Sequence, residues 1–524
     1  MTTYRIGIDV GGTNTDAVIL NENYKVIAET KSPTMEDVSE GIYMAMRDVI
    51  NKANIPLDKI KFAMLGTTHV TNAIVERKKL NRIAVIRIGA PATLAVKPFV
   101  GTPLDLKGIL GNFVYLVRGG HEFDGREITK LDEDHLYRIA NEIKGHIDSI
   151  AITSVFSPVS NAHELRAREI MNEVLGENIP VSLSSEIGSV GLLERENATI
   201  LNASVVKIAR TTINGFVNAL EKEGIKNARV YLGQNDGTLM SVEYALKYPI
   251  LTIACGPTNS LRGASYLTGE ANSIVVDVGG TTTDVGVLVS SFPRESSLAV
   301  EIGGVRTNFR MPDLVSVGLG GGTIIRINEE NSFKIGPDSV GYELPQKSLV
   351  FGGDTLTATD VVVALGKANL GDPSKVQFLD KEVMSRIYAK MVEMVEMAID
   401  QMKTSAEPVP VILVGGGSIL VPDKLEGASK VVKPNNFGVA NAIGSAIAQV
   451  SGQIDKIFSL DRLGRQKTIE YAKKLALQEA INAGAEEDTC SIVDLEDIPL
   501  SYLPGNATRI TVKAAGNLRI NMTE

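Results

Sequence analysis

The sequence predicts an α/β protein of two lobes facing each other across a cleft, and three observations carry that prediction. An octapeptide near the start, Asp9-Val10-Gly11-Gly12-Thr13-Asn14-Thr15-Asp16, returns as Asp277-Val278-Gly279-Gly280-Thr281-Thr282-Thr283-Asp284, a whole domain's length later. Between and beyond the two copies, short β-rich apolar runs alternate with helical periodicity, the pattern of mixed sheets with helices on their faces. The chain, at 524 residues, also exceeds one simple core and calls for roughly two to four domains.

Each octapeptide ends one apolar run (residues 5–10 and 273–278) and leads into another (17–20 and 285–289), so each reads as a β-hairpin. Its glycines let the turn approach a phosphate closely and adopt positive φ at little cost. Threonine hydroxyls and exposed backbone N–H groups can donate to phosphate oxygens. Two matched copies point to ATP. Because Mg²⁺ gives up its water reluctantly, Asp9 and Asp277 are expected to serve the cation through its water shell. Asp16 and Asp284 either orient the hairpin threonines or touch metal-bound water, with structural hydrogen bonding equally open.

The remaining elements follow in order. A strand over 25–29 and a helix over 36–52 follow the first hairpin. A strand over 62–65, a helix over 69–77 and a strand over 82–86 come next, then a helix over 132–144, a strand over 150–155 and a helix over 162–175. A long helix over 194–223 is expected to leave the first lobe, and a strand over 229–232 to open the second. In the helix over 381–403, Met391, Met394, Met397 and Met402 read as core packing, and Pro408 and Pro410 end it. A buried strand over 411–414 runs into Gly415-Gly416-Gly417-Ser418, a turn on which a base or ribose can lie against bare backbone. A helix over 438–449 is rich in small residues. The tail after 454 reads as helical to about 483 and strand-like over 509–512. The expected division is 1–195, 196–440 and 441–524, the last packing back on the first lobe.

Composition excludes several classes. Apolar content of 44% supports full burial, and a net charge of −9 offers no basic face for nucleic acid or anionic lipid. No apolar run reaches the roughly 18 residues that span a bilayer, and no charged and apolar leader opens the chain, so a cytoplasmic protein is expected. The two cysteines, Cys255 and Cys490, have no CxxC spacing, which argues against a zinc or iron–sulfur site within one subunit. A cluster shared across a dimer needs only two cysteines per chain and stays open.

A duplicated phosphate hairpin followed by strand-Gly-Gly-Gly and a small-residue helix resembles the actin, sugar kinase and chaperone ATPase superfamily, in which two ribonuclease-H-like lobes close over ATP. A narrower series resembles the hydantoinase A / 5-oxoprolinase family. It comprises Gly66-Thr67-Thr68-His69 through Arg77, Phe156-Ser157 with His163-Glu164, Glu194-Arg195-Glu196-Asn197-Ala198-Thr199, Gly256-Pro257 to Gly263-Ala264, and Ser316 to Thr323 with its run Gly320-Gly321-Gly322. These matches, in family order, cover roughly residues 4 to 450, and sugar kinases lack them.

The resemblance implies ATP-dependent opening of a cyclic amide such as a hydantoin, 5-oxoproline or a lactam. Phosphoryl transfer to the carbonyl oxygen would make an activated intermediate for water to attack, often with a separate B-type subunit; a homodimer is also open. The protein would contribute positioning and charge neutralisation. In this reading Gly11, Gly12, Thr13, Asn14, Thr15, Gly279, Gly280, Thr281 and Thr282 hold phosphates, and Asp9 and Asp277 organise Mg²⁺. Gly320 to Gly322 and Gly415 to Ser418 approach the nucleotide, with capping or tight packing as the alternative. Thr67 and Thr68 bind substrate or γ-phosphate, or cap the helix that follows. His69 stands where the family more often has a small apolar residue. It is a candidate for proton exchange near neutral pH, or a packed histidine. Residues 87–93 also depart from the loop usual in the family, which leaves the ring substrate open. Three other readings remain: a small-molecule kinase, an ATPase that activates or assembles a partner enzyme, and a carboxylase subunit that phosphorylates a ketone enol and bicarbonate.

Overall fold

The first octapeptide joins β1 (Tyr4–Val10) to β2 (Asn14–Asn21), and β3 (Val26–Pro33) adds antiparallel to β2. The structure is a computed structural model describing residues 2–35, 37–188, 190–296, 300–328, 332–461, 463–501 and 506–519. Helix α1 (Val38–Ala53) starts where the Asp37 carboxylate accepts the N–H groups of Ser39 and Glu40; Glu36, the expected first residue, lies outside the described residues. Strand β4 (Ile60–Thr67) runs parallel to β1 and leads directly into α2 (His69–Glu76). Ile6, Ile8, Met46 and Leu65 form the core of this lobe, each fully buried side chain contributing about 1.5–3 kcal/mol.

A second, all-parallel sheet is then inserted. Its elements are β5 (Ile83–Ala90), α3 (Leu104–Leu110), β6 (Phe113–Arg118), α4 (Glu133–Ile143), β7 (Ser149–Ser154), α5 (Ala162–Leu175) and β8 (Val181–Leu183), in the strand order β6-β5-β7-β8. The 31-residue helix α6 (Leu192–Lys222) leads back to β9 (Arg229–Gly233) and β10 (Leu239–Ser241), followed by α7 (Val242–Lys247). Here the structure departs from expectation. The strand expected to open the second lobe at 229 instead lies parallel to β4 in the first sheet. An apolar run signals a strand but not its neighbour, and Leu232 finds its burial beside Leu65.

Helix α8 (Cys255–Thr268) crosses to the second lobe, where β11 (Ser273–Val278) and β12 (Thr283–Val289) form the second hairpin. Strand β13 (Phe292–Pro293), the ribbons β14 (Val300–Ile302) with β15 (Val305–Thr307), β16 (Leu314–Val317), and the pair β17 (Thr323–Ile327) with β18 (Phe333–Ser339) follow. Helices α9 (Leu344–Lys347), α10 (Ala358–Ala364) and α11 (Lys381–Met402) lead to β19 (Val409–Val414) and β20 (Ala428–Val432). In α11, Met391 and Met402 are buried and Met394 packs against the core, but Met397 is 63% exposed, so it is not core as expected. A periodic stripe of four methionines is wider than the face the sheet covers.

The two main sheets repeat one plan. The order β3-β2-β1-β4-β9 in the first is matched by β16-β12-β11-β19-β20 in the second, with the same antiparallel and parallel senses. Helix α12 (Ala440–Ile447) then returns across α8. A Cβ on Gly263 would overlap the Ala440 carbonyl, and one on Gly444 the Asn259 carbonyl, so the two helices cross backbone to backbone.

The C-terminal segment extends the first sheet beyond β10 through β21 (Val450–Ser459), β23 (Ala507–Gly516) and β22 (Ser491–Pro499), with α13 (Arg465–Asn482) packed on them. Residues 454–459, expected to be helical, are strand because they pair along β23, and β22 was not anticipated.

Candidate functional site

The two hairpin turns are built alike. Gly11 N–H donates to the Asn14 carbonyl at 3.0 Å and Gly279 N–H to the Thr282 carbonyl at 2.9 Å. At the base of each turn an aspartate faces an aspartate, Asp9 opposite Asp16 and Asp277 opposite Asp284. The turns meet across the cleft: a Cβ on Gly280 would sit 2.7 Å from the Thr13 side chain. Gly12 is exposed, and Gly11, Thr13, Asn14, Gly279, Gly280, Thr281 and Thr282 are half-buried, which leaves both tips open to a ligand. Thr15 is not open. It is buried beside Thr34, 3.5 Å away, and Thr34 braces the turn through bonds to Gly11 and Thr13 carbonyls.

Of the carboxylates behind the turns, Asp9 and Asp16 are buried and Asp277 and Asp284 half-buried. Asp9 accepts from the side-chain amides of Asn259 at 3.1 Å and Asn441 at 3.0 Å, and the Asn441 amide also reaches Asp16 at 2.9 Å. Lys31 pairs with Asp16 at 2.6 Å. Burial pushes Asp9 and Asp284 up to about 6, and raises Asp16 and Asp277, because the charged form loses its water. The neighbouring carboxylates add to this, Asp16 and Asp277 on Asp9 and Asp277 on Asp284, while the hydrogen bonds oppose it. Such a cluster fits a dication, which would reverse the cost of ionising it. Among the described residues no three of these aspartates are close enough to share an ion directly, which suits contact through its water.

The two glycine runs differ in role. Gly321 N–H donates to Gly279 carbonyl at 3.1 Å, Gly322 N–H to Gly280 carbonyl at 2.7 Å and Gly320 N–H to Thr323 Oγ1 at 2.7 Å. These donors are spent on bracing the second turn, as Thr34 braces the first, so the run supports the site rather than offering N–H groups to a nucleotide. Glycine is required because a Cβ on Gly320 would sit 2.6 Å from Thr281 N. Gly415 has φ +84, and a Cβ there would overlap Asp277 Oδ1, so its positive φ and its bareness both serve the approach of turn to carboxylate. Gly417 and Ser418 are buried, and Gly416 is the exposed member of that turn.

Thr67, Thr68 and His69 close the end of β4 beside the first hairpin. Thr68 N–H and hydroxyl both reach the Val10 carbonyl, each at 3.2 Å, so Thr68 ties α2 to the strand before Gly11 rather than capping the helix with its side chain. Thr67 Oγ1 lies 2.8 Å from His69 Nδ1 and accepts the His69 backbone N–H at 3.2 Å. Burial, with Lys79 nearby, lowers His69 to about 4. The ring is therefore neutral near pH 7, and proton exchange at neutral pH is not what its surroundings favour. Cys255 bonds to the Thr67 backbone, and burial pushes its thiol up to about 12, so it is neither reactive nor at a surface where a partner's cluster could form.

The N-terminal region of the hydantoinase/oxoprolinase family matches residues 5–175, and the hydantoinase/oxoprolinase domain itself matches 195–403. The chain belongs to the hydantoinase/oxoprolinase family. An uncharacterised protein of Methanocaldococcus jannaschii is 28% identical over 76% of this chain and 62% of its own length. The acetophenone carboxylase gamma subunit of Aromatoleum aromaticum is 26% identical over 70% of this chain and 53% of its own. The chain thus spans little more than half the length of such relatives. ATP-dependent caprolactamase from Pseudomonas jessenii shares the fold, with a TM-score of 0.76 at 17% identity over 98% of this chain and 88% of that one.

Several residues that carry the hydantoinase/oxoprolinase resemblance prove to be scaffold. Glu164 accepts from Ser154 N–H at 2.8 Å, Ser185 N–H at 2.9 Å and the Ser184 hydroxyl at 2.5 Å. Arg195 reaches the Ser154 carbonyl at 2.7 Å, and Glu196 forms a fully buried bidentate pair with Arg87 of β5. Together they lock the ends of β7 and β8 to α6. Residues 87–93, which depart from the hydantoinase/oxoprolinase pattern, begin with this buried Arg87.

Sequence reasoning missed Asn441 and Lys31, whose positions carry no local motif, and Asn259, which lies inside the Gly256 to Ala264 motif but was not singled out there. It also missed a cluster of His121, Glu127 and His163, whose nitrogen and oxygen atoms lie within 4.8 Å of one another. That set matches a two-histidine, one-carboxylate metal ligand group, but its hydrogen bonds do not. Gly120 N–H donates to His163 Nδ1 at 2.9 Å, so the neutral ring keeps its proton on Nε2, facing Glu127 Oε1 at 3.1 Å. Neither nitrogen of His163 then has a free lone pair for an ion. A cavity of about 1060 Å³, lined by Tyr231, Asp236, Tyr244, Tyr248 and Arg310 among others, lies away from both hairpins.

Proposed function

We propose that this chain is the ATP-using component of an enzyme that opens a cyclic amide by phosphorylating its carbonyl oxygen. The observation that carries the reading is the meeting of two glycine turns, each backed by an aspartate pair, at the end of β4 where Thr67 and Thr68 sit. The N–H groups of Gly12 and Gly280 and the hydroxyls of Thr13, Thr281 and Thr282 hold the phosphates. Asp9 and Asp277 would hold Mg²⁺ through its water, and the ion would supply charge neutralisation for phosphoryl transfer. Transfer moves the γ-phosphoryl group from ADP's β-oxygen to the amide oxygen. Water then adds to the ring carbon and the carbon–nitrogen bond breaks, leaving the ring nitrogen as an amine and the carbonyl as an acyl phosphate; a second water releases inorganic phosphate, so that ATP, lactam and two waters become ADP, phosphate and an open-chain amino acid. Thr67 and Thr68, whose donors are spent within the scaffold, form the wall beside the first turn against which the ring would lie, while His69, held neutral, keeps positive charge out of that wall.

A partner subunit supplying the hydrolytic step is supported by relatives that are themselves subunits, among them the caprolactamase subunit alpha of Pseudomonas jessenii and the acetophenone carboxylase gamma subunit. The likeness to a carboxylase subunit favours a second reading, in which the same transfer activates a ketone enol or bicarbonate. Phosphate release from MgATP, measured with hydantoin, 5-oxoproline and simple lactams and then with bicarbonate plus ketone, separates the two. Stimulation by a ring amide supports the first; stimulation by bicarbonate and ketone alone replaces it with the second.

A further inference from the structure

Across the first sheet, Gly66, Asp9, Asp16 and Lys31 form one row on β4, β1, β2 and β3. The second sheet repeats the row as Val414, Asp277, Asp284 and Ser316 on β19, β11, β12 and β16. The duplicated devices differ at the last place. Ser316 stands opposite Asp284 in the second lobe, whereas the first lobe sets an ammonium 2.6 Å from Asp16.

Three observations separate Lys31 from an ordinary ion pair. Its side chain is 34% exposed although Asp16 is only 4% exposed, so the lysine is not sealed in with its partner. Its stem crosses to the opposite lobe: Cε lies 3.9 Å from the place of a Cβ on Gly416 and 4.0 Å from that on Gly438, and both positions are bare. Its charge also lowers Asp277, so it lies within electrostatic reach of carboxylates in both lobes. Asp16 does not depend on it alone, because the Asn441 amide holds the other oxygen at 2.9 Å. A flexible lysine is a mobile point charge well suited to phosphate.

We propose that Lys31 is a nucleotide-positioning residue whose ammonium rests on Asp16 in the free protein and moves to the phosphate chain of ATP when nucleotide and its dication enter. The dication takes over the neutralisation of the carboxylates, and the released ammonium meets the phosphates beside the exposed Gly416. This rests on the ATP-using reading above.

Calorimetric titration of the full chain with MgATP and with AMP tests it, using the wild type, Lys31→Met and Lys31→Arg. The expected result is a loss of roughly tenfold or more in MgATP affinity for Lys31→Met, AMP affinity unchanged, and recovery of most of the MgATP affinity in Lys31→Arg. Equal losses for both nucleotides, or no loss for either, would overturn the role. Failure of the wild type to bind MgATP would instead bring down the ATP-using reading itself, which keeps the two failures distinct.

Discussion

Asp9 and Asp277 occupy equivalent places but are steadied differently, the first by two side-chain amides and the second by Ser260 and the distant charge of Lys31. Replacing Asp277 by Ala should therefore reduce MgATP turnover by roughly 10–100-fold while far-ultraviolet circular dichroism stays unchanged; normal turnover would remove its metal role. His69 makes a pH prediction. Its folded pKa is about 4 against an ordinary 6.5. Between those values the unfolded chain binds a proton that the folded chain does not, so stability is complete above pH 6.5 and is lost as the pH falls toward 4. Urea unfolding of wild type and His69→Gln across that range should show a shallower slope in the variant; parallel curves would place the acid sensitivity elsewhere. At this scale the sequence was legible where a motif repeated, as with Asp9, Thr13 and Thr281. The roles of Asn441 and of Asn259, although the latter lies within the Gly256 to Ala264 motif, were illegible, because an asparagine inside a helix shows its partner only when α8 and α12 cross beside the carboxylates.

Among the elements, the crossing of α8 and α12 depends on two bare backbones. Gly444→Val should cost at least about 1–3 kcal/mol through overpacking, read as a lowered urea midpoint, whereas Gly108→Ala in α3, where nothing lies within 4 Å of the added Cβ, should leave the midpoint where it is. The clamp between β5 and α6 behaves differently. Arg87→Ala leaves Glu196 buried without its partner and should cost about 3–5 kcal/mol, while Arg87→Met with Glu196→Leu should recover much of that loss. A double variant no better than the single would mean the pair is needed for more than charge. Element type was readable where periodicity was strong, as in α5, whose expected bounds of 162–175 match. It failed at β22 because Asp494, Glu496 and Asp497 sit on an edge strand, where charge guards an open side and obscures apolar alternation.

For the molecule as a whole, a nucleotide binding between the lobes stabilises both at once. MgATP at a hundredfold excess over its dissociation constant should add about 2.7 kcal/mol, visible as a raised melting temperature; an unchanged melting curve at millimolar MgATP would speak against a site in the cleft. The two-lobed α/β plan was legible from the duplicated hairpin. The assignment of strands to lobes was not, since pairing partners are chosen in space, as β9 shows.

That assignment bears on synthesis at the ribosome. The first sheet draws its strands from residues 4–67, 229–241 and 450–516, whereas the second sheet is contiguous within 273–432. The lobe made later can therefore be finished earlier: once 432 has emerged it has its sheet, while the lobe begun first waits for the last stretch of chain to supply β21 to β23. Nascent chains stalled near residue 460 should carry a protease-resistant second lobe and a cleavable first one, reversing the usual order in which domains mature from the N-terminus.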